Sequence, residues 1–179
     1  MDREKKSIIE LTNCSVGRYK ELEKLPVSIL LDNVRSMYNV GAILRTADAF
    51  LINEVILSGI TGTPPHPEIT KTALGAEESV EWRYVKDAYS EILTMKEKGW
   101  SICVLEQAHS SLPLQDFIVR PEEKYLLVVG NEVSGVNQSI VDIADILLEI
   151  PQFGVKHSLN VSVSAGIALW QTVKYYINK

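Results

Sequence analysis

Short apolar runs alternate with segments of helical periodicity along most of this chain, and that alternation leaves few architectures open. Val27 to Leu31 is an apolar run of strand length. In Asn39 to Leu51, Val40, Ile43, Leu44, Ala47, Phe50 and Leu51 recur at helical spacing, with Arg45 and Asp48 off the stripe. Val55-Ile56-Leu57 reads as a second strand, and the proline-rich stretch from Thr61 to Pro67 as a loop. Ile69 to Ala76 reads as a short helix, Val80 to Val85 as a strand, and Ala88 to Glu97 as a helix stopped by Gly99. Trp100 to Leu105 is the next strand, and Glu106 to Glu122 is irregular. Tyr125 to Val129 is the strongest strand signal; Asn137 to Ala144 is helical, Ile146 to Ile150 extended, and Leu159 to the end a long apolar helix. The pattern predicts an α/β fold, a mostly parallel sheet flanked by helices.

At 179 residues the chain fits one domain with a substantial core, and no repeat or linker divides it. The start, Met1-Asp2-Arg3-Glu4-Lys5-Lys6, lacks the apolar core of a signal peptide, and no apolar run approaches the ~20 residues of a membrane span. Cys14 and Cys103 have neither metal-ligand spacing nor the number for a disulfide framework; Cys103, inside a strand, reads as a small buried hydrophobe. His66, His109 and His157 have no metal spacing and receive no role. These features predict a cytoplasmic protein without a metal or a membrane partner.

A net charge of −5 is not the footprint of a chain coated for nucleic acid. Charge is uneven, however. Residues 1–26 carry Arg3, Lys5, Lys6, Arg18, Lys20 and Lys24 among five acids, and beyond Glu149 only the basic Lys156, Lys174 and Lys179 remain. A local basic surface is compatible with the acidic total.

Three segments are richer in polar residues and glycine than a core requires. The first runs from Asp32 to Ala49 and places Asn39 where a strand end passes into a helix. Carboxyl ends of strands in open α/β sheets are where ligands bind, although Asn39 could equally cap the helix. The second, Val128 to Val136, sets Glu132 between Gly130 and Gly135, either for close backbone approach to a ligand or as a tight turn with an exposed acid. The third, Ile150 to Gly166, ends a strand and enters the last helix, where Ser158 is positioned to cap. Asn160, Ser162 and Ser164 are polar groups in an apolar stretch, and Ala165 and Gly166 would let another backbone approach.

In this order and spacing the three segments resemble the three motifs of SpoU (TrmH-like) RNA 2′-O-methyltransferases of the SPOUT superfamily. Asn39-Val40-Gly41-Ala42-Ile43-Leu44-Arg45-Thr46-Ala47-Asp48-Ala49 is similar to the first and Gly130-Asn131-Glu132-Val133-Ser134-Gly135 to the second. Ile150-Pro151 with Ser158-Leu159-Asn160-Val161-Ser162-Val163 is similar to the third. Lys71 to Glu77 also matches a family stretch, and the resemblance covers roughly residues 27 to 175. Two positions depart: a Pro-Gly common before the first-motif Asn is Met37-Tyr38, and a Gly common after Ala-Phe is Leu51. On this reading residues 1–26 are an N-terminal extension and 27–179 the methyltransferase domain.

The resemblance implies a C-terminal trefoil knot, which connection rules alone would not suggest. It also implies S-adenosyl-L-methionine as methyl donor, held mainly by backbone and lined by Leu105, Gly130, Ile150, Ser158 and Leu159. It implies catalytic roles for Arg45, Asn39, Glu132 and Asn160, with Asn39 and Glu132 holding Arg45 and the backbone in place. Arg45 would act on the ribose hydroxyl as base or as electrostatic stabiliser. The implied partners are RNA, tRNA before rRNA for so small a chain, and a second copy bound through the knot and C-terminal helix. A non-catalytic RNA-binding or assembly protein on the same fold is the competing reading. A dehydrogenase is disfavoured by the lack of a Gly-x-Gly-x-x-Gly turn.

Overall fold

A computed structural model describes residues 15–156 and 158–177. Cys14, His157, Lys179 and the first 14 residues of the expected extension lie outside the described residues. The elements are α1 (Val16–Glu21), β1 (Val27–Asp32), α2 (Met37–Ala49), β2 (Val55–Ser58), α3 (Pro67–Ala73), α4 (Ala76–Ser79) and β3 (Trp82–Val85). They continue as α5 (Ala88–Glu97), β4 (Trp100–Leu105), β5 (Leu112–Pro113), a 3-10 turn (Leu114–Asp116), β6 (Lys124–Val129), α6 (Gln138–Asp142), β7 (Ile146–Glu149) and α7 (Val161–Ile177).

The strands form one seven-stranded sheet in the order β3-β2-β1-β6-β4-β7-β5, with every pairing parallel. Strand alternation sorts the core into two layers. Val27, Ile29 and Leu31 of β1 and Tyr125, Leu127 and Val129 of β6 face a cluster completed by α2, α3 and α7. Leu30, Leu126 and Val128 point to the other face, against Ile92 and Met95 of α5 and Ile140 of α6. All six residues of β1 are buried because both faces are covered, which is why this strand reads as a continuous apolar run. Tyr19, the buried residue of α1, joins the first cluster, and Leu25 packs against it. Cys103 is fully buried, as its place in a strand predicts. Among the described residues no helix is long and apolar enough to cross a membrane.

β6 enters the sheet between β1 and β4, and β7 between β4 and β5, although both come later in the chain. The carboxyl ends of β1, β6, β4 and β7 therefore stand side by side, and all three motifs emerge there.

Four local readings need correction. The helix expected over Ile69 to Ala76 is broken, because Leu74 (φ 52°) and Gly75 (φ 92°) adopt left-handed backbone and split it into α3 and α4. The irregular stretch after β4 contains β5 and a 3-10 turn; two residues, one of them Pro, give no strand pattern. The last helix starts at Val161, not Leu159, and Asn160 caps it in place of Ser158: its Oδ1 accepts from the backbone N–H of Ser162 at 2.9 Å. Close backbone approach occurs at Gly41, where a Cβ would overlap Thr72 and the Ile69 carbonyl of α3, whereas a Cβ on Gly166 would meet only Thr46 at 3.9 Å.

Candidate active site

The chain leaving β1 is fixed before it enters α2. Asp32 is buried; its carboxylate accepts from Asn33 Nδ2 at 2.7 Å and from the Asn137 backbone N–H at 3.0 Å. Asn33 takes a left-handed φ of 57°, and its carbonyl accepts from Asn131 Nδ2 at 2.8 Å. Ser36 then caps α2, leaving the Asn39 side chain within the first turn for other work.

That work is to join the motifs. The Glu132 carboxylate accepts from the backbone N–H groups of Arg35 (2.9 Å) and Ser36 (3.0 Å) and from Asn39 Nδ2 (2.9 Å). Asn39 Oδ1 in turn accepts from Asn160 Nδ2 at 3.1 Å. One hydrogen-bonded line thus runs Glu132–Asn39–Asn160, a residue from each motif. Partial burial alone would raise the Glu132 carboxyl, but the donors from Arg35, Ser36 and Asn39 outweigh it and hold the group below its usual range. It is a carboxylate at neutral pH, aimed at the neck between β1 and α2.

The loop carrying Glu132 is built for close approach. Asn131 and Gly135 exchange backbone hydrogen bonds at 3.0 Å, and Asn131 Oδ1 accepts from the N–H groups of Val133 and Ser134 at 2.9 and 3.1 Å. A Cβ on Gly130 would overlap the backbone of Gly135 and Val136, so glycine is required there. Gly135 has φ 68°, and a Cβ on it would collide with Glu106. Glu106, just past β4, ties this loop down: its carboxylate accepts from the N–H groups of Val136 and Gln107, both at 3.0 Å. Sequence reading missed Glu106, whose only signal was a carboxylate immediately beyond a strand end.

These loops and the segment from Ile150 to Ser164 enclose a cavity of about 810 Å³. Leu105, Gly130, Ile150, Ser158 and Leu159, the five residues expected to line a cofactor pocket, all line it. Glu132 and Asn160 are also on its wall, together with the carboxylates of Glu106 and Glu149. Arg45 does not line it. It stands on the exposed face of α2 and makes no hydrogen bond or ion pair with a described residue. Of the expectation that Asn39 and Glu132 hold Arg45 and the backbone in place, the backbone part is seen, since Glu132, with Asn39 bonded to it, accepts from the N–H groups of Arg35 and Ser36; the Arg45 part is corrected, since no hydrogen bond joins either residue to Arg45. Among the described residues, no group of three or more His, Cys, Asp or Glu side chains is arranged to hold a metal.

The sequence from residue 26 to 170 matches the model of the SpoU rRNA Methylase family. A 23S rRNA (guanosine-2′-O-)-methyltransferase RlmB of Neisseria meningitidis serogroup B is 32% identical over 161 residues, which is 89% of this chain and 63% of that protein. The chain thus spans about 60% of the length of such curated relatives, with 60% for the RlmB of Ralstonia nicotianae. Among solved structures, the A. aeolicus TrmH/SpoU tRNA modifying enzyme superposes with a TM-score of 0.80 at 30% identity, over 91% of this chain and 83% of that one. The AdoMet-bound rRNA methyltransferase of Sinorhizobium meliloti superposes with a TM-score of 0.79 at 25% identity, over 88% of this chain and 60% of that one. With its motifs joined at the ends of a parallel sheet and its sequence matched over most of its length, the chain belongs to the SpoU rRNA methylase family.

Proposed function

We propose that this chain transfers a methyl group from S-adenosylmethionine to a ribose 2′-hydroxyl of RNA. The observation that carries the reading is the Glu132–Asn39–Asn160 line, which binds all three motifs along the wall of one cavity. The names of the relatives, which are RNA methyltransferases, support it.

The cavity fits such a donor by size and charge. Small-molecule sites run from roughly 300 to 1,000 Å³, and 810 Å³ falls within that range. The wall carboxylates of Glu106 and Glu149 match the positive sulfonium and ammonium groups of the donor. Leu105, Gly130, Ile150, Ser158 and Leu159 would hold it, and the bare Cα of Gly130 leaves room for a ligand against backbone. When bound, the donor supplies an already activated methyl group.

The protein's share is positioning and charge. Glu132 and Asn39 fix the 35–36 neck, and Asn160 fixes the entry to α7, so the cavity wall keeps its shape when RNA arrives. Arg45 is assigned to the acceptor. Its guanidinium has no partner among the described residues and suits a phosphate of the RNA backbone. Because arginine stays protonated in proteins, stabilising the developing alkoxide is its better role, with proton acceptance as the alternative.

A second copy completes the reading. Val163, Ile167 and Trp170 lie at three- to four-residue spacing on the outer face of α7 and are 50%, 40% and 51% exposed. An apolar stripe of this kind fits a homodimer formed through the knotted C-terminal region that the family resemblance implies.

The test is transfer of labelled methyl from S-adenosylmethionine to unmodified tRNA and 23S rRNA, with nuclease digestion to locate the label. Label in a 2′-O-methylated nucleotide is the expected outcome; label on bases alone, or none despite donor binding, overturns the proposal. The preference for tRNA expected from chain size draws no support from the curated relatives, several of which are named for 23S rRNA. The A. aeolicus neighbour is named for tRNA, so both substrates belong in the assay.

A further inference from the structure

Helix α2 keeps one face out of the core, and Arg45 is not the only group on it. Tyr38, Ala42, Arg45 and Ala49 recur along that face at three- to four-residue spacing, with Tyr38 43% exposed. Seven residues of helix set Tyr38 about 10 Å from Arg45 along the axis, with the small Ala42 between them. The one acid of the helix, Asp48, lies off this line and accepts from Ser79 Oγ. Lys71 of α3 stands beside the ring: its Nζ is 5.7 Å from the Tyr38 ring centroid, and it makes no ion pair with a described residue. We propose that Tyr38 stacks on the base of an unpaired nucleotide flanking the one that is methylated, and that Lys71 takes a phosphate of that nucleotide. The inference rests on the methyl-transfer reading and adds how the acceptor strand is held.

A stacking platform must be open, fixed and close to the chemistry. The ring is open by its exposure. Its backbone is fixed, because Thr72 Oγ1 donates to the Tyr38 carbonyl at 3.0 Å. Gly41 brings α3 so near that a Cβ there would overlap Thr72 and the Ile69 carbonyl. The same packing holds Lys71, the residue before Thr72, at the ring. The chemistry is close because the next residue is Asn39, the centre of the line that joins the three motifs. Every base has a π-face, so an aromatic ring beside a cation suits single-stranded nucleic acid and discriminates little between bases. In a duplex those faces are covered by neighbouring pairs, so Tyr38 favours an acceptor in a loop, bulge or end. Lys71 at one end of the face and Arg45 further along it give the strand two cations to follow. Tyr38 also stands where the first motif departs from Pro-Gly, so the ring is a feature of this chain.

The experiment uses the full chain and the RNA it methylates best, with the methylated position mapped by mass spectrometry. Nucleotides on either side of that position are made abasic one at a time, and kcat/KM is compared for wild type, Tyr38→Ala and Tyr38→Phe. One abasic site should cost wild type about tenfold, the scale of losing one stacked base. Tyr38→Ala should be slower by a similar factor on intact RNA and indifferent to that abasic site. Tyr38→Phe, which keeps the ring, should retain the wild-type sensitivity. 2-Aminopurine at the same position should be quenched when wild type binds with S-adenosylhomocysteine, and stay bright with Tyr38→Ala. Lys71→Gln should reduce the slope of log affinity against log salt by about 0.7, one single-strand phosphate contact; an unchanged slope overturns the part given to Lys71. Wild type indifferent to every flanking abasic site, or Tyr38→Ala as sensitive as wild type, overturns the stacking role and leaves the methyl-transfer reading standing. A Tyr38→Ala chain that turns from dimer to monomer in light scattering does the same, by placing the ring in a subunit contact. Absence of any 2′-O-methyl nucleotide, with S-adenosylhomocysteine still bound, overturns both.

Discussion

Asn39 Oδ1 accepts a hydrogen bond from Asn160 Nδ2 at 3.1 Å, across 121 residues of chain. The other end of each amide is engaged elsewhere: Asn39 Nδ2 donates to Glu132, and Asn160 Oδ1 accepts from the backbone N–H and hydroxyl of Ser162. Each amide orientation is therefore fixed by the other. Asn39→Ala removes the centre of the line, stripping Glu132 of one donor and leaving Asn160 Nδ2 without its acceptor. The expected cost is about 1–3 kcal/mol of stability, together with a fall in methyl transfer larger than the fall in S-adenosylhomocysteine affinity. Denaturant titration and single-turnover transfer check this; a variant with wild-type turnover would remove Asn39 from the site.

Glu132 should give the site an acid limit. Its carboxyl is held below the usual range by the donors from Arg35, Ser36 and Asn39. A depressed folded-state pKa contributes stability above the unfolded value, about 4.3, and that contribution is lost as pH falls through the folded value. Wild type should therefore be more stable than Glu132→Gln at pH 6, and the gap should close as the solution is acidified below about pH 4. Urea unfolding of both proteins across that interval measures it. A gap that stays constant with pH would mean that the carboxylate's charge plays no part in the clamp.

The framework of this site was legible in the sequence because it is local. Strand runs at Val27–Leu31, Val55–Leu57, Trp100–Leu105 and Tyr125–Val129 gave the sheet, and glycine and polar residues at strand ends marked the three loops. What escaped was non-local or conformational. No periodicity couples Glu106 to the Val136 amide or Asn39 to Asn160, since those bonds exist only after β6 and β7 insert between earlier strands. Asn160 displaced Ser158 as cap because its side chain, already turned toward Asn39, also faces the free amides of α7. Leu74 read as helix because leucine favours helix; its left-handed backbone is imposed by the turn into α4.

That turn allows a test of backbone strain with little packing involved. Leu74 is 65% exposed at φ 52°, and Gly75 follows at φ 92° with nothing near its missing Cβ. Left-handed backbone costs a branched side chain about 1–2 kcal/mol and costs Asn less. Leu74→Asn should raise stability by about 1 kcal/mol, and Gly75→Ala should lower it by about the same amount or more. Thermal unfolding of the two variants beside wild type decides; opposite signs are the expected result, and a Leu74→Asn protein that melts earlier would show that Leu74 contributes packing.

Arg45 separates donor from acceptor. It lies on the exposed face of α2, outside the walls of the 810 Å³ cavity. Arg45→Ala should leave S-adenosylhomocysteine affinity unchanged and depress methyl transfer by about a hundredfold or more, the scale of losing one charged group at a developing oxyanion. Arg45→Lys should recover only part of the rate, because a lysine lacks the planar fork that meets phosphate in two places. Normal turnover in Arg45→Ala would overturn both roles proposed for this residue.

The outer face of α7 bears on how that arginine meets a bound donor. Val163 and Ile167 are 50% and 40% exposed, a solvent-facing apolar stripe on a helix whose other face is in the core. Covering such a stripe with a second copy removes apolar surface from water at about 25 cal/mol per Å². A glutamate in the stripe would have to be buried or the contact given up. Ile167→Glu should therefore convert a dimer to a monomer in light scattering at micromolar concentration, with the circular dichroism of the fold retained. If Arg45 serves a donor cavity across that interface, the monomer should lose methyl transfer while keeping S-adenosylhomocysteine binding. A monomer with full activity would place Arg45 and the cavity it serves in the same chain, and a variant that stays dimeric would move the interface off α7.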